Sequence, residues 1–460
     1  LDAARRARDE RSDLVVFPEL SLTGYYPGDL LDDPIFLGRI DAGLQQLKMA
    51  TRETPALHWV VGAPLHRQGP GKSLTNSLLV LHNGQVLLQY AKQLLPTYNV
   101  HDERRHFEPG PDVAKVLRIG SATVGFLVCE DAWNANGAAY SVDPFSRLAD
   151  AAPDFIVSIN ASPSSVGKQQ LRQEVFSPAC SRHRTPLVYV NQIGGHDQLV
   201  YDGASFAMNG DGRIVAQCES FKPSLLTLSF DPDTRCFVDA ERSPLLPLED
   251  RPLPPSEFYR QQIVLGLRDY ARRCGFSSVV VGSSGGIDSA LTLALAVEAL
   301  GADQVLAVTM PSSFSSPGSV DDSIALCRNL GIRLLNHSIA PLVQQHQQSF
   351  EASTGAPLAG LALENIQARI RGTTLMAISN ASGHLLLTTG NKSELSVGYF
   401  TVYGDACGGL GLIGDLYKQE VFELCRHLNA TSPHEIVPRA IIDKPPSAEL
   451  APGQVDTDSL

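Results

Sequence analysis

No C-x-x-C pair occurs among the eight cysteines (129, 180, 218, 236, 274, 327, 407 and 425), which argues against a structural zinc site and against a disulfide framework. A reducing cytoplasm is the expected compartment. A basic surplus is also missing. The 37 Lys and Arg are outnumbered by 49 Asp and Glu, a balance that argues against sequence-independent nucleic-acid binding, which needs clustered cations to neutralise phosphates, and no nucleic-acid partner is expected. Long apolar runs are absent too: the most apolar stretch, Ala290-Leu-Thr-Leu-Ala-Leu-Ala-Val297, is broken by Glu298 and falls well short of the roughly 20 residues that cross a bilayer. The first residues lack the basic-then-apolar order of a signal peptide. Leu1 to Asp13 reads as the tail of a charged helix, and a fragment is expected. Neither an internal repeat nor a low-complexity tract is visible.

What is present fits ordinary globular units. Charged residues make up 19% and hydrophobic residues 43% of the 460, a length that suits two or three cored units at about 100–200 residues each. In the first half, short β-branched runs (Leu14-Val-Val-Phe17, Trp59-Val-Val61, Ser77-Leu-Leu-Val80, Thr123 to Val128, Leu187-Val-Tyr-Val190) predict strands buried on both faces of a layered α/β unit. Between Asp231 and Pro255 six prolines break the pattern and predict an extended connector. Strand and long helix then alternate (Val279–Val281, helix Asp288–Leu300, Val305–Val308, helix Val320–Leu330, a helix over about 360–380, Leu385–Thr388, a helix from Lys418), the pattern of a parallel doubly wound sheet.

The loop Gly282-Ser283-Ser284-Gly285-Gly286-Ile287-Asp288-Ser289 joins a strand to a helix, where main-chain N–H groups and the helix dipole cradle anions. It lacks the lysine of a G-x-x-x-x-G-K-[ST] nucleotide loop and carries Asp288, an oxygen ligand suited to Mg²⁺. Taken alone, a plain Gly/Ser turn explains it equally well. Further on come Glu364-Asn-Ile-Gln-Ala-Arg-Ile-Arg371, Thr389-Gly-Asn-Lys-Ser-Glu394, Gly398-Tyr-Phe-Thr-Val-Tyr-Gly-Asp405 and Lys444-Pro-Pro-Ser-Ala-Glu-Leu450. With S-G-G-I-D-S, these segments resemble the N-type ATP pyrophosphatases, and among them the NAD⁺ synthetases. The resemblance implies ATP contacts at the loop, Thr389 and Lys418, and a Mg²⁺ site at Asp288 and Glu394. It implies deamido-NAD⁺ contacts at Asn365, Glu394, Tyr399, Phe400, Thr401 and Val402. Arg369 and Arg371, two apart on a helix, point to different faces, so one of them is expected to be only a surface charge.

In the first half Cys129 ends a strand and precedes Glu130-Asp131-Ala-Trp133. A lone cysteine is more often a small buried hydrophobe, and neighbouring carboxylates should raise its thiol pKa, so a positive partner is required. Lys92, in Tyr90-Ala-Lys-Gln-Leu-Leu-Pro-Thr-Tyr98, can supply it, and Glu19, in Phe17-Pro-Glu19, can take the proton. F-P-E, K-x-x-L-P-T-Y and C-E-D-x-W resemble the nitrilase superfamily, and the last of them its glutaminase members. The resemblance implies Glu19 as general base, Cys129 as nucleophile, Lys92 at the oxyanion and Glu103 as the glutamate that positions the lysine, with glutamine contacts at Tyr98, Ser162 and Lys168. Read only from its surroundings, Glu103 could equally be part of a solvated charge run. Two departures stand out: His196-Asp197-Gln198 where the family shows Gln-Asp-Glu, and His101 where Phe is usual.

Together the resemblances imply a nitrilase-like αββα sandwich over residues 1–243, a Pro-rich linker over 244–255, and a doubly wound parallel sheet of adenine nucleotide α-hydrolase type over 256–460. The implied enzyme is a ligase that adenylates deamido-NAD⁺ with ATP and Mg²⁺, releases pyrophosphate, and amidates the adenylate to NAD⁺ and AMP. Its ammonia would come from glutamine through a Cys129 thioester and a channel. A homo-oligomer built on a dimer of synthetase domains is also implied. Alternative readings are an ammonia-dependent synthetase with a non-catalytic nitrilase-like interaction domain, a nitrilase-type amidase with a nucleotide-sensing module, and another glutamine amidotransferase of the same ATP-pyrophosphatase type. Family members extend beyond the points matching both ends of this chain, and a chain short at both ends is expected.

Overall fold

Trp59, Val60 and Val61 lie consecutively on the strand His58–His66 and all three are buried, so both faces of its sheet must be covered. Trp59 and Val61 pack with Ala4, Ala7, Leu79 and Leu81, whereas Val60 joins Leu78 and Val80 in a second core with Phe126 and Ile156. This parity is that of an α-β-β-α stack. The computed structural model describes residues 1–134, 140–249 and 252–445, and the chain divides into two compact units, Leu1–Pro252 and Leu253–Leu460.

In the first unit a four-stranded sheet runs Leu14–Val16, His58–His66, Leu74–His82, Gln85–Ala91, parallel at its first pair and antiparallel thereafter. The facing sheet has six strands in the order Ile214–Gln217, Phe206–Met208, Leu187–Asn191, Phe155–Asn160, Ala122–Val128, Val116–Ile119, and its three-strand centre is parallel. Helices Asp2–Asp9 and Pro34–Ala50 supply the outer apolar layer on one side; Pro144–Asp150 and Lys168–His183 supply it on the other. The nitrilase-like αββα sandwich expected from sequence is therefore present. From Asp231 the chain does not leave this unit directly as an extended connector. It turns through the hairpin Ser229–Asp231 and Cys236–Val238, because Phe237 is buried against Phe155 and Phe230. Leu245 and Leu248 then donate to the carbonyls of Phe237 and Ile214 at 2.8 Å each.

The second unit holds a five-stranded, all-parallel sheet in the order Arg333–Asn336, Val305–Thr309, Val279–Gly282, Leu385–Thr388, Leu410–Gly411. Numbered along the chain this order is 3-2-1-4-5, which is doubly wound, with its reversal between Val279–Gly282 and Leu385–Thr388. Val279, Val281, Leu385 and Leu387 face a core with helices Pro255–Arg273, Ile287–Leu300 and Lys418–Thr431. Val280 and Leu386 face the other side, with Val343 of Ala340–Thr354 and Ile370 of Leu361–Ser382. Among the described residues no helix is long and apolar enough to cross a membrane.

Candidate active sites

Strand ends position the buried cluster of the first unit. Glu19 follows the strand Leu14–Val16, Lys92 follows Gln85–Ala91, and Glu103 opens the short turn Glu103–Arg105. Lys92 Nζ donates to Glu19 Oε1 at 2.8 Å and to Glu103 Oε1 at 2.6 Å, with all three side chains fully buried. Glu103 is thus no member of a solvated charge run. Burial acts to lower the Lys92 pKa, but the two carboxylates prevail and hold it well above the ordinary lysine value. Burial raises Glu19, against the opposing charge of Lys92 and with the like charge of Glu103.

Cys129 closes the strand Ala122–Val128 and begins the 3₁₀ turn Cys129–Ala132 at φ 47°, a left-handed conformation that is strained for a side chain other than glycine. Its thiol is pushed well up, first by burial and then by Glu19, while Lys92 pulls the other way. Of the two adjoining carboxylates, Glu130 adds to that rise. Asp131 instead braces the loop behind the thiol. Its Oδ1 accepts the N–H groups of Gln93 and Leu94 at 2.9 and 2.8 Å, and its Oδ2 accepts the Tyr90 hydroxyl at 2.7 Å. The strand end carrying Cys129 and the one carrying Lys92 are thereby tied together.

Glu130 and Tyr98 line a cavity of about 470 Å³ with Leu95, Thr97, Trp133 and Tyr140. The Tyr98 and Tyr140 hydroxyls both donate to Glu130. Lys168 Nζ stands 4.4 Å from the Trp133 ring centroid. Ser162, like Lys168, is not among the lining residues. It is buried, its Oγ accepting from Arg172 Nε at 3.2 Å and its N–H donating to Asn191. Arg172, itself buried, forks onto Asp202 with Nη1 2.9 and 3.0 Å from the two carboxylate oxygens. Of the two departures, His101 Nδ1 lies 2.9 Å from the Tyr25 hydroxyl, and burial lowers its pKa to about 4. His196 ends the strand Ile193–His196.

Sequence reasoning passed over Asn76, Tyr25, Arg172 and Asp202. Tyr25 donates to Glu103 Oε1 at 2.9 Å, and Asn76 Nδ2 reaches both glutamates. One signal was available: Thr75-Asn76-Ser77 interrupts an otherwise apolar strand. Asp29, Asp32 and His106 also stand close enough together to resemble a metal-donor group, with Arg105 paired to Asp29 at 2.9 Å.

In the second unit a cavity of about 280 Å³ opens at the reversal of strand order, where ligands of doubly wound sheets bind. Gly282, Ser283, Ser284, Gly286, Ile287, Asp288 and Ser289 line it, together with Thr389, Glu394, Tyr399 and Lys418. Gly285 turns the loop at φ 77°, where a Cβ would sit 2.3 Å from the Ser319 carbonyl oxygen; no other residue fits there without movement. Lys418 Nζ lies 2.5 Å from Asp288 Oδ2, and Asn391 Nδ2 donates to Asp288 Oδ1 at 3.0 Å. Lys418 is therefore not a freely solvated lysine. Asn391 also caps the helix Lys392–Val397, accepting from the N–H of Glu394 while its own N–H donates to Glu394 Oε2.

Not every expected residue reaches this cavity. Asn365, Phe400, Thr401 and Val402 are not among its lining residues. Thr401 donates to Asn365 at 2.9 Å, and Phe400 and Val402 are exposed. Arg371 lines the cavity, while Arg369 donates outside it to the Val402 carbonyl at 3.2 Å. The helix pitch separates the two arginines as their spacing predicts. Residues 446–450 of the K-P-P-S-A-E-L segment, and the chain beyond, lie outside the described residues.

Comparison with known proteins gives the same division. Residues 1–235 match the carbon-nitrogen hydrolase family and residues 259–460 the NAD synthase family. The glutamine-dependent NAD(+) synthetase of a Synechocystis species is 43% identical over all of this chain and 82% of the relative; that of Acinetobacter baylyi is 41% identical over all of this chain and 81% of the relative. The solved glutamine-dependent NAD+ synthetase from Acinetobacter baumannii in complex with ADP is 37% identical, superimposes with a TM-score of 0.87, and covers 98% of this chain and 82% of its own. A buried Glu-Lys-Cys centre and a lysine-free Gly/Ser loop on one chain have the same explanation as these similarities: the chain belongs to the glutamine-dependent NAD(+) synthetase family.

Proposed function

We propose that this protein is an ATP-dependent ligase forming a C–N bond, which amidates deamido-NAD⁺ to NAD⁺ with nitrogen taken from glutamine. The observation carrying this reading is the coexistence of the Lys92 cluster beside Cys129 with the Asp288–Lys418 pair at the mouth of the phosphate loop. The first unit, over residues 1–243, supplies ammonia; residues 244–255 connect; residues 256–460 consume it.

Glu19 takes the Cys129 thiol proton, and the sulfur attacks the glutamine side-chain carbonyl carbon. A raised thiol pKa makes this base necessary, since little thiolate exists beforehand at neutral pH. The oxyanion is met by the Lys92 ammonium and the Glu130 N–H, preorganised donors of the type that contributes most to acyl transfer. The proton passes to the leaving nitrogen, the C–N bond breaks, and ammonia departs from a thioester. Water then attacks that thioester, with Glu19 again as base, returning the thiol and glutamate. Tyr98, on the cavity wall, contacts the glutamine together with Lys168 and Ser162.

In the second unit the nicotinate carboxylate of deamido-NAD⁺ attacks the α-phosphorus of ATP, and the phosphate loop retains the departing pyrophosphate through its N–H and hydroxyl groups. Lys418 and Thr389 hold the nucleotide; Tyr399, Asn365 and residues 400–402 contribute to the dinucleotide side. Ammonia attacks the adenylate carbonyl carbon and AMP leaves. Asp288 and Glu394 fit a Mg²⁺ ion: both are oxygen donors on one cavity, and both are hydrogen-bonded to Asn391. When bound, that ion supplies charge neutralisation at the polyphosphate. The reading extends to a cytoplasmic enzyme that assembles as a homo-oligomer through its ligase units.

Product analysis tests the reading. With ATP, Mg²⁺, deamido-NAD⁺ and amide-¹⁵N glutamine, the label should appear in the NAD⁺ carboxamide with AMP and pyrophosphate in equal amounts. Labelled ammonia released without labelled NAD⁺, or NAD⁺ formed only from added ammonia, would sink it.

A further inference from the structure

We propose that Asn76 is a positioning residue of the amide-hydrolysing site, the neutral clamp that keeps Glu19 and Glu103 together on a single lysine. The inference rests on the function proposed above. Asn76 lies on the strand Leu74–His82 and is 1% exposed. Its Nδ2 donates to Glu19 Oε1 at 2.7 Å and to Glu103 Oε2 at 3.3 Å, and its main-chain carbonyl accepts the main-chain N–H of Lys92 at 2.8 Å. One residue thus touches all three members of the cluster.

The chemistry of the side chain explains the choice. Two carboxylates and one ammonium leave an excess negative charge in a space that excludes water, and like charges there repel strongly. A primary amide nitrogen has two hydrogens, so it can serve both carboxylates at once without adding charge. Aspartate would add a third negative charge, whereas an apolar side chain would leave both carboxylates one donor short. The same contacts assign the oxygens of Glu19. Oε1 is taken by Lys92 and Asn76, and among the described residues Oε2 accepts only the Ala161 N–H at 2.9 Å, so Oε2 is the oxygen with room for the thiol proton.

The test uses the full-length enzyme with Asn76→Ala and Asn76→Asp, measured for glutamine-driven and ammonia-driven synthesis across pH. Losing the amide destabilises the ionised base, so the acidic limb of kcat/KM for glutamine should move to higher pH in both variants, further in Asn76→Asp. In Asn76→Ala, kcat should fall at least tenfold with KM for glutamine changed less than threefold, and ammonia-driven synthesis should be unchanged. The rate of Cys129 alkylation by iodoacetamide, read against pH, gives the same limb without turnover and serves if one variant is poorly folded; Asn76→Ser is the substitute there. An acidic limb that stays in place in folded variants, or a loss confined to KM, overturns the proposal. Cys129→Ala separates the two layers: if it leaves glutamine-driven synthesis intact, the amidase reading fails irrespective of Asn76.

Discussion

Lys92 and Glu103 meet at 2.6 Å with neither side chain exposed. The lysine keeps a second carboxylate when the first is removed, so Glu103→Gln leaves a neutral Lys92–Glu19 pair rather than an orphan charge. Destabilisation should then stay below the roughly 3–5 kcal/mol typical of a buried pair deprived of one partner. Lys92→Met, by contrast, strands two carboxylates and should reach that range or abolish folding. Thermal unfolding of the two variants checks the order. Glutamine-driven synthesis should fall at least tenfold in Glu103→Gln, and a wild-type rate would remove Glu103 from the positioning role.

Cys129→Ala should abolish glutamine-driven NAD⁺ formation and leave ammonia-driven formation within about twofold, because the two chemistries occupy separate units. Steady-state assays with each nitrogen donor decide it. Equal loss of both would refute the division of labour.

Asp131 carries the clearest pH signature for stability. Burial raises its pKa from 3.8 to about 7, against the opposing hydrogen bonds from Leu94 and Tyr90. A folded-state value above the unfolded one means the native state binds the proton more tightly. Its contribution to stability is therefore full below about pH 4 and is lost as pH rises through about 7. Asp131→Asn should flatten that component while costing some stability at acid pH through its altered bond to Tyr90. Calorimetric unfolding from pH 4 to 8 measures the slope; an unchanged slope would assign the titration to another group.

Asn391 joins the two loops at the strand-order reversal. Asn391→Ala removes a helix cap worth about 1 kcal/mol and the hydrogen bond that orients Asp288. The Mg²⁺ concentration for half-maximal ammonia-driven synthesis should rise several-fold, with glutamine hydrolysis unaffected. Gly285→Ala should be harsher, since it forces a Cβ against the Ser319 carbonyl in a backbone shape that favours glycine. ATP-dependent pyrophosphate release should fall at least 100-fold there, by analogy with the loss of preorganised donors.

Much of this protein was legible without coordinates because the signals are local. Strand and helix periods, the turn after Val281, and short motifs around Cys129, Lys92 and Asp288 are properties of consecutive residues. The positions that escaped notice share one trait: their partners are far along the chain. Asn76 is 57 positions from Glu19, Tyr25 is 78 from Glu103, and Arg172 is 30 from Asp202. A lone Asn within a strand, or an Arg in the helix Lys168–His183, carries no mark of the carboxylate it will meet. The reverse case has the same root. Phe400 and Val402 sit in a recognisable motif, yet their backbone leaves them exposed, and Asn365 bonds Thr401 away from the lining.

Residue order alone settled that there would be a buried α/β sandwich, then a parallel sheet, and a thiol and a Gly/Ser loop each at a strand end. Packing decided the rest. The 3-2-1-4-5 order sets Val279–Gly282 beside Leu385–Thr388 and so brings Asn391 to Asp288. The pairing of Leu74–His82 with its neighbours brings Asn76 under both glutamates. Periodicity is imposed by the geometry of a single backbone segment, whereas a buried charge cluster depends on which segments become neighbours. That choice is made by the burial of whole sheet faces and leaves no trace at any one position.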